Sequence, residues 1–295
     1  MTLFLQFLIS GIMTGGIYGL IAVGIVLIVK GTKVFNFAHG DLAALGAYMF
    51  WCFLVQMQLN LALSIVFMIM LAAGLALALE RFILRPLIGQ PVLSAIMVTI
   101  GVGQIFAGIV TLFWPGPGRS FPAIIPSGTF HLGNLALSLE SLISFSVCIV
   151  VLIAFYGLFQ HTNIGLAMRG TAEDHQLAQS GGIQVTRIIA VCWFIGILLS
   201  AIGGILIANL YQLDRPAVAG FVLKAFSVVI FGGLESITGA VVAGMFVGIL
   251  EILGAGYLDP LVGGGLGEVI PFIVLLLILL IKPYGLFGYK RIERI

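Results

Sequence analysis

A few residues able to handle a polar solute stand inside otherwise apolar stretches. Asn36, His39 and Asp41 gather around Gly40, Lys224 lies in a short apolar run, and Glu251 lies deep in another. A charge near the middle of a bilayer costs about 2.5–3.5 kcal/mol on insertion scales, so intramembrane charges face a bundle interior, pair with one another or meet a solute. His39 and Asp41 are two positions apart and so point to different helix faces. Gly40 is expected to break the helix there, and an exposed helix end can bind a polar group. The spacing predicts that Asn36, His39 and Asp41 line or gate a pathway near its cytoplasmic side. The alternative is that they hydrogen-bond between helices and hold the bundle. Lys224 and Glu251 could pair, which would lower the cost of both. Thr99, Gln104 and Asn209 are expected to bond across helices.

A second polar cluster is a loop. Residues 160–187 contain Arg169, Gly170, Thr171, Ala172, Glu173, Asp174, Ala178, Gly181 and Gly182. Thr171 followed by Asp174 resembles a capping box, and Glu173 and Asp174 would sit in a first turn, where the helix dipole favours acids. Gly181 and Gly182 are stop residues. The pattern predicts a short polar helix between Thr171 and Gly181. It reads either as a docking element for a soluble partner or as a solvated connector.

Catalytic chemistry finds little support. Cys52, Cys148 and Cys192 all lie in apolar runs and match no disulfide framework or metal spacing, and the histidines do not cluster. No nucleophile stands at a believable spacing from a base. A phosphate-binding Gly-x-x-x-x-Gly-Lys-Ser/Thr loop is missing, so any ATP hydrolysis belongs to another chain. A net charge of +2 gives no basic face for nucleic acid.

The elements that must position these residues are membrane helices. The chain has 295 residues, of which 61% are hydrophobic and 8% charged; soluble domains are about a quarter charged. Apolar runs cover about 3–29, 34–56, 59–79, 92–114, 139–159, 188–210, 221–232, 237–257 and 267–281. A span needs about 20 apolar residues, and lipid leaves helices as the way to satisfy the backbone. The expected fold is an all-α polytopic membrane protein of eight or nine crossings, with 221–232 as a short or half helix and residues 1–295 as a single transmembrane domain. The first run has no basic start and reads as a retained helix rather than a signal peptide. Basic residues favour nine crossings by the positive-inside rule. With the N-terminus outside and the C-terminus cytoplasmic, Lys30, Lys33, Arg81, Arg85, Arg169, Arg187, Lys282, Lys290, Arg291 and Arg294 fall inside, and only Arg119 and Arg215 fall outside. Arg81 and Arg85 are expected to snorkel at the inner surface. Residues 115–138, rich in Pro and Gly, then form the largest outer loop. Small residues recur every fourth position at Gly11, Gly15 and Gly19, at Gly196, Ser200, Gly204 and Ala208, and at Ala240, Gly244 and Gly248, a spacing that lets helix backbones approach closely.

The chain resembles the importer permeases of the branched-chain amino acid ABC family, the LivH-like subunit. The resemblance rests on Asn36-Phe-Ala-His-Gly40 followed by Asp41 and Gly46-Ala-Tyr48, on the 160–187 loop, and on Arg85-Pro86-Leu87, Phe231-Gly232-Gly233, Gly239-Ala240 and Lys282-Pro283-x-Gly285-Leu286-Phe287-Gly288. Leu234-Glu235-Ser236 departs from the smaller, less charged stretch expected there. The resemblance implies a fold like that of the vitamin B12-type importers, with broken helices. It implies a bacterial inner-membrane permease that holds no cofactor itself. Its partners would be two cytoplasmic subunits using ATP and Mg, a second homologous permease and an extracytoplasmic solute-binding protein. The loop would be its ATPase coupling segment. Members carry branched-chain or other amino acids, urea, short amides or aromatic acids. From the residues alone, a secondary transporter or channel remains an alternative.

Overall fold

The computed structural model describes residues 2–87, 90–122, 124–133 and 135–288; the predicted inner charges Lys290, Arg291 and Arg294 lie outside them. Every apolar run is helical. The helices are α1 (Thr2–Thr32), α2 (His39–Trp51), α3 (Leu61–Leu79), α4 (Val92–Phe113), α5 (Leu139–His161), α6 (Asn163–Glu173), α7 (His175–Ser180), α8 (Val185–Leu210), α9 (Arg215–Gly232), α10 (Ile237–Tyr257), α11 (Asp259–Val262) and α12 (Leu266–Ile281). A π-helical turn, Cys52–Gln56, prolongs α2. Among the described residues, 7 helices are long and apolar enough to cross a membrane. The 16-residue α12 is shorter, as is the 13-residue α2 before its π-turn. Large apolar side chains such as Leu112 and Leu280 cover the outside, as lipid contact requires. The protein is a multi-pass helical membrane protein.

One expectation needs correction. Run 221–232 is not a half helix, because α9 begins at Arg215 and has 18 residues. Arg215 and Lys224 hid its first half from a hydropathy reading, yet both charges are paired. The 115–138 stretch carries an antiparallel hairpin, β1 (Thr129–Leu132) with β2 (Leu135–Ser138), in which Thr129 faces Ser138.

The chain forms two compact units. The first comprises residues 1–26, 123–149 and 223–295. There α1 and α10 lie backbone to backbone. A Cβ on Gly15 would come 2.5 Å from Met245 Cα, and one on Gly244 would come 2.6 Å from Gly19 N. The small residues spaced four apart on both helices therefore face each other. Lipid supplies no hydrophobic push between helices, so this close approach and its dispersion contacts hold them.

The second unit comprises residues 27–122 and 150–222. Its core includes Leu42, Leu45, Tyr48, Trp51, Phe106, Trp114, Trp193 and Ile197 from α2, α4 and α8. Here too small residues set the distance, since a Cβ on Gly204 of α8 would meet Ala43 O of α2 at 2.4 Å.

Gly15→Val or Gly244→Val should lower stability by about 1–3 kcal/mol, the usual range for overpacking. Gly101→Ala, with nothing within 4 Å of the added carbon, should leave it unchanged. Thermal unfolding in detergent, followed by tryptophan fluorescence, checks the contrast.

Candidate functional site

The segment between α1 and α2 is built by a helix ending early. Thr32 Oγ1 donates to Ile28 O at 2.7 Å, and Lys33 adopts φ 57. That left-handed conformation normally favours glycine and carries a strain of about 1–3 kcal/mol. The chain then runs extended and restarts as α2 at His39. The break therefore precedes Gly40, which lies inside the first turn of α2 and packs against Ala219 of α9. Glycine serves close approach there, not helix breaking.

Asn36 is 2% exposed. Its Oδ1 accepts from Ala38 N at 3.1 Å, whereas its Nδ2 is buried without a hydrogen-bond partner among the described residues. A buried unmade donor costs about 1–3 kcal/mol. Thr99 of α4 holds the segment from the other side: its Oγ1 accepts from Phe37 N and donates to Phe35 O, both at 3.3 Å. Thr99 thus bonds to the linking segment rather than to a neighbouring helix. Gly103 packs 3.2 Å from Ala38 Cα and 3.0 Å from Asp41 Oδ2, measured from an added Cβ. Gly103 is eleven residues into the 22-residue α4, about 16 Å along a helix axis, so Ala38 and Asp41 pack about halfway along it.

Asp41 meets a residue the sequence placed in an outer loop. Arg215 Nη1 lies 2.8 Å from Asp41 Oδ1, with side-chain exposures of 32% and 14%. Asp214 caps the start of α9 by accepting from Ala217 N at 3.1 Å. That cap and Pro216, whose ring fixes φ at a helix start, turn Arg215 into the helix, where it reaches Asp41. Asp41 and Arg215 thus form an ion pair in the second unit, and Asn36 and His39 lie on the segment that leads to Asp41.

Lys224 and Glu251 lie in the first unit and pair as expected. Lys224 Nζ donates to Glu251 Oε1 at 2.7 Å, and Tyr18 OH of α1 donates to Glu251 Oε2 at 2.6 Å. Both residues are under a tenth exposed. The carboxylate is satisfied at both oxygens, and three helices are joined by one charge-neutral knot. Tyr18 gave no signal in the sequence beyond being a tyrosine in an apolar run.

The polar loop folds differently from expectation. It contains two helices, α6 and α7, and neither begins at Thr171. Thr162 caps α6 by accepting from Gly165 N at 3.0 Å. Asp174 caps α7 by accepting from Gln176 N and Leu177 N at 2.7 and 3.0 Å. Thr171 lies in the body of α6, fully buried, and its hydroxyl has no partner among the described residues; it caps nothing, because the helix began about two turns earlier. Glu173 ends α6 rather than opening a helix, and Gly170 lies inside it. Ala172 and Ala178 face inward. Arg169 Nη1 donates to Phe159 O, and its guanidinium stands 5.5 Å from the centroid of the Phe159 ring, so Arg169 fastens α6 to the end of α5. Gly181 ends α7, and Gly182 follows at φ 83. The exposed face carries Glu173, Asp174 and Leu177, the last 71% exposed. Nothing in the sequence singled out Leu177, whose exposure is set by the fold. Arg85, expected to snorkel, also pairs: its Nε lies 2.7 Å from Glu80 Oε1.

Comparison with known proteins adds three findings. The family model described as branched-chain amino acid transport system / permease component matches residues 7–279. The chain is 28% identical to the high-affinity branched-chain amino acid transport system permease protein LivH of Escherichia coli K12, covering 99% of this chain and 98% of that one. It is equally close, at 28%, to BraD of Pseudomonas aeruginosa, and 30% identical to a probable branched-chain amino acid transport permease protein LivH of Methanocaldococcus jannaschii over 94% of this chain and 90% of that one. Among solved structures, PsaBC from Streptococcus pneumoniae in complex with Fab shares the fold with a TM-score of 0.51 and 14% identity, covering 95% of this chain and 93% of that one.

Two outcomes test the site. Lys224→Met or Glu251→Gln alone should destabilise the protein by about 3–5 kcal/mol by stranding one buried group, while Lys224→Met with Glu251→Leu should recover most of it; a double-mutant cycle on thermal unfolding measures this. Asp174→Ala removes the cap of α7, a loss of about 1 kcal/mol, and should speed hydrogen exchange at Ala178 to Gly181 about fivefold.

Proposed function

The chain belongs to the branched-chain amino acid transport permease family, and we propose that it is the membrane-spanning subunit of an ATP-driven importer of branched-chain amino acids. Its partners in this reading are two cytoplasmic ATPases using ATP and Mg, a second homologous permease and an extracytoplasmic solute-binding protein. Residues 1–295 act as one permease domain in the bacterial inner membrane, with the N-terminus outside and the C-terminus in the cytoplasm. The retention of Lys30, Lys33, Arg85, Arg169 and Arg187 at one set of helix ends supports that orientation.

The observation that carries the substrate class is the Asp41–Arg215 ion pair, which packs about halfway along α4, with the open Asn36 Nδ2 on the segment that leads to Asp41. An α-amino acid presents a carboxylate and an ammonium. Arg215 matches the first through a planar, charge-assisted fork, and Asp41 matches the second. In the absence of solute the two neutralise each other at 2.8 Å. A passing zwitterion can take both ions and leave neither uncompensated, and Asn36 Nδ2 has an unused hydrogen to offer the solute carboxylate. Lys224 and Glu251 are consumed by each other and by Tyr18, so in this reading they hold the first unit rather than touch solute.

Energy enters through α6 and α7. Closure of the ATPases on ATP presses the exposed face around Asp174 and Leu177, and Arg169 carries the push into the end of α5 through Phe159. The spans beside the loop then reorient the pathway, giving alternating access. Reconstitution of the chain with all its partners in proteoliposomes tests this. Leucine uptake should require ATP, fall at least tenfold with Arg215→Gln or Asp41→Asn, and fall with Leu177→Asp. Uptake at full rate without ATP, or driven by membrane potential alone, would overturn the importer.

A further inference from the structure

The second unit contains a cleft of ≈ 430 Å³ that the transport reading does not use. It lies among the end of α1, the turn after α3, the start of α4, α7 and the first turns of α8. Its size falls in the range of about 300–1,000 Å³ typical of small-molecule sites. Three features make it more than a gap between helix ends. Glu80 on its wall is 5% exposed, gives Oε1 to Arg85 at 2.7 Å, and makes no second hydrogen bond among the described residues. His175 of α7 lines the cleft with a buried Nε2 that has no partner. Lys33 holds its place on the wall at the expense of a left-handed backbone, where glycine would be unstrained.

The lining thus offers a buried carboxylate oxygen, the His175 ring nitrogen, the cations Lys33 and Arg85, and a strip of Leu84, Val185 and Ile189. We propose that this cleft binds a free aliphatic α-amino acid, and that the bound molecule restrains α7 and slows transport. The ammonium meets Glu80, the carboxylate meets Lys33 and His175, and the aliphatic chain covers the apolar strip. Because His175, Gln176 and Gln179 of α7 form one wall, an occupant bridges α7 to the ends of α1 and α3. A movement of α7 then requires the ligand to leave. Such a site would let accumulated product brake its own import. The inference rests on the proposed substrate class and on the coupling role of α7.

The test uses the full complex in lipid nanodiscs, without the solute-binding protein. Leucine, glutamate and lysine are titrated by calorimetry, and ATP hydrolysis is followed in parallel. Leucine should bind and lower hydrolysis at least fivefold, and glutamate and lysine should bind at least tenfold more weakly. Thr186→Phe fills the cleft from α8 and should abolish both effects while leaving hydrolysis without leucine unchanged. Gln90→Trp fills it from the opposite wall and should do the same if Thr186→Phe fails to assemble. Asp41→Asn should keep both effects. Unaltered hydrolysis with leucine present, retention of the effect in both cleft-filling variants, or its loss in Asp41→Asn alone would overturn the proposal. Leucine binding that both cleft-filling variants abolish, in a complex that does not import, would instead sink the transport reading and leave the site standing.

Discussion

Charge inside a lipid-embedded bundle must arrive with its partner, and the arrangement of this protein follows from that requirement. Lys224 lies halfway along α9 and is tolerable there because Glu251 of α10 stands 2.7 Å away. Tyr18 then satisfies the remaining oxygen. Were any of the three helices to slip by one turn, about 5.4 Å, the bond would be lost and two ions stranded. The same rule governs Asp41 with Arg215, and locally Glu80 with Arg85 five residues on. The pairs that join different helices fix the register of those helices, so these ions specify the packing as much as they benefit from it.

Close approach is the complementary constraint. Charged side chains of ordinary length bridge helices only if the backbones are near, and the glycines of α1 and α10 bring them near. In the second unit, Gly204 and Gly46 do the same between α8 and α2. Dispersion at these contacts is small for each atom pair and large in sum. Packing by small residues and pairing of ions are therefore two parts of one device: the first sets distance, the second sets register.

Against this background of satisfied groups, the unsatisfied ones stand out. Asn36 Nδ2 and His175 Nε2 are buried without hydrogen-bond partners among the described residues, as are the Thr171 hydroxyl and Trp193 Nε1. Asn36 lies on the segment that leads to Asp41, and His175 lies on the cleft wall formed by α7. A polar group already bonded has nothing to offer a passing molecule, whereas an open one does. The strained Lys33 is another local concession, set where α1 stops.

The amino-acid sequence by itself determined the class of protein, the approximate positions of the apolar helices other than α9 and the polarity of the α6–α7 loop, and it suggested the pairing of Lys224 with Glu251. It could do so because hydrophobic runs, four-residue spacing of glycines and isolated intramembrane charges are local signals. The cap of α7 was half legible: Asp174 was recognised as part of a cap, but the helix break at that residue depends on Thr162 starting α6 earlier. Only the tertiary structure decided that Arg215 leaves its supposed loop to meet Asp41, that α9 is a full-length span, that Tyr18 completes the Glu251 site, and that Glu80, Lys33 and His175 share a cleft. These facts join residues far apart in the chain. Which side chains meet is fixed by which helix faces come within a few ångströms, and that depends on the packing of the whole chain rather than on any stretch of it.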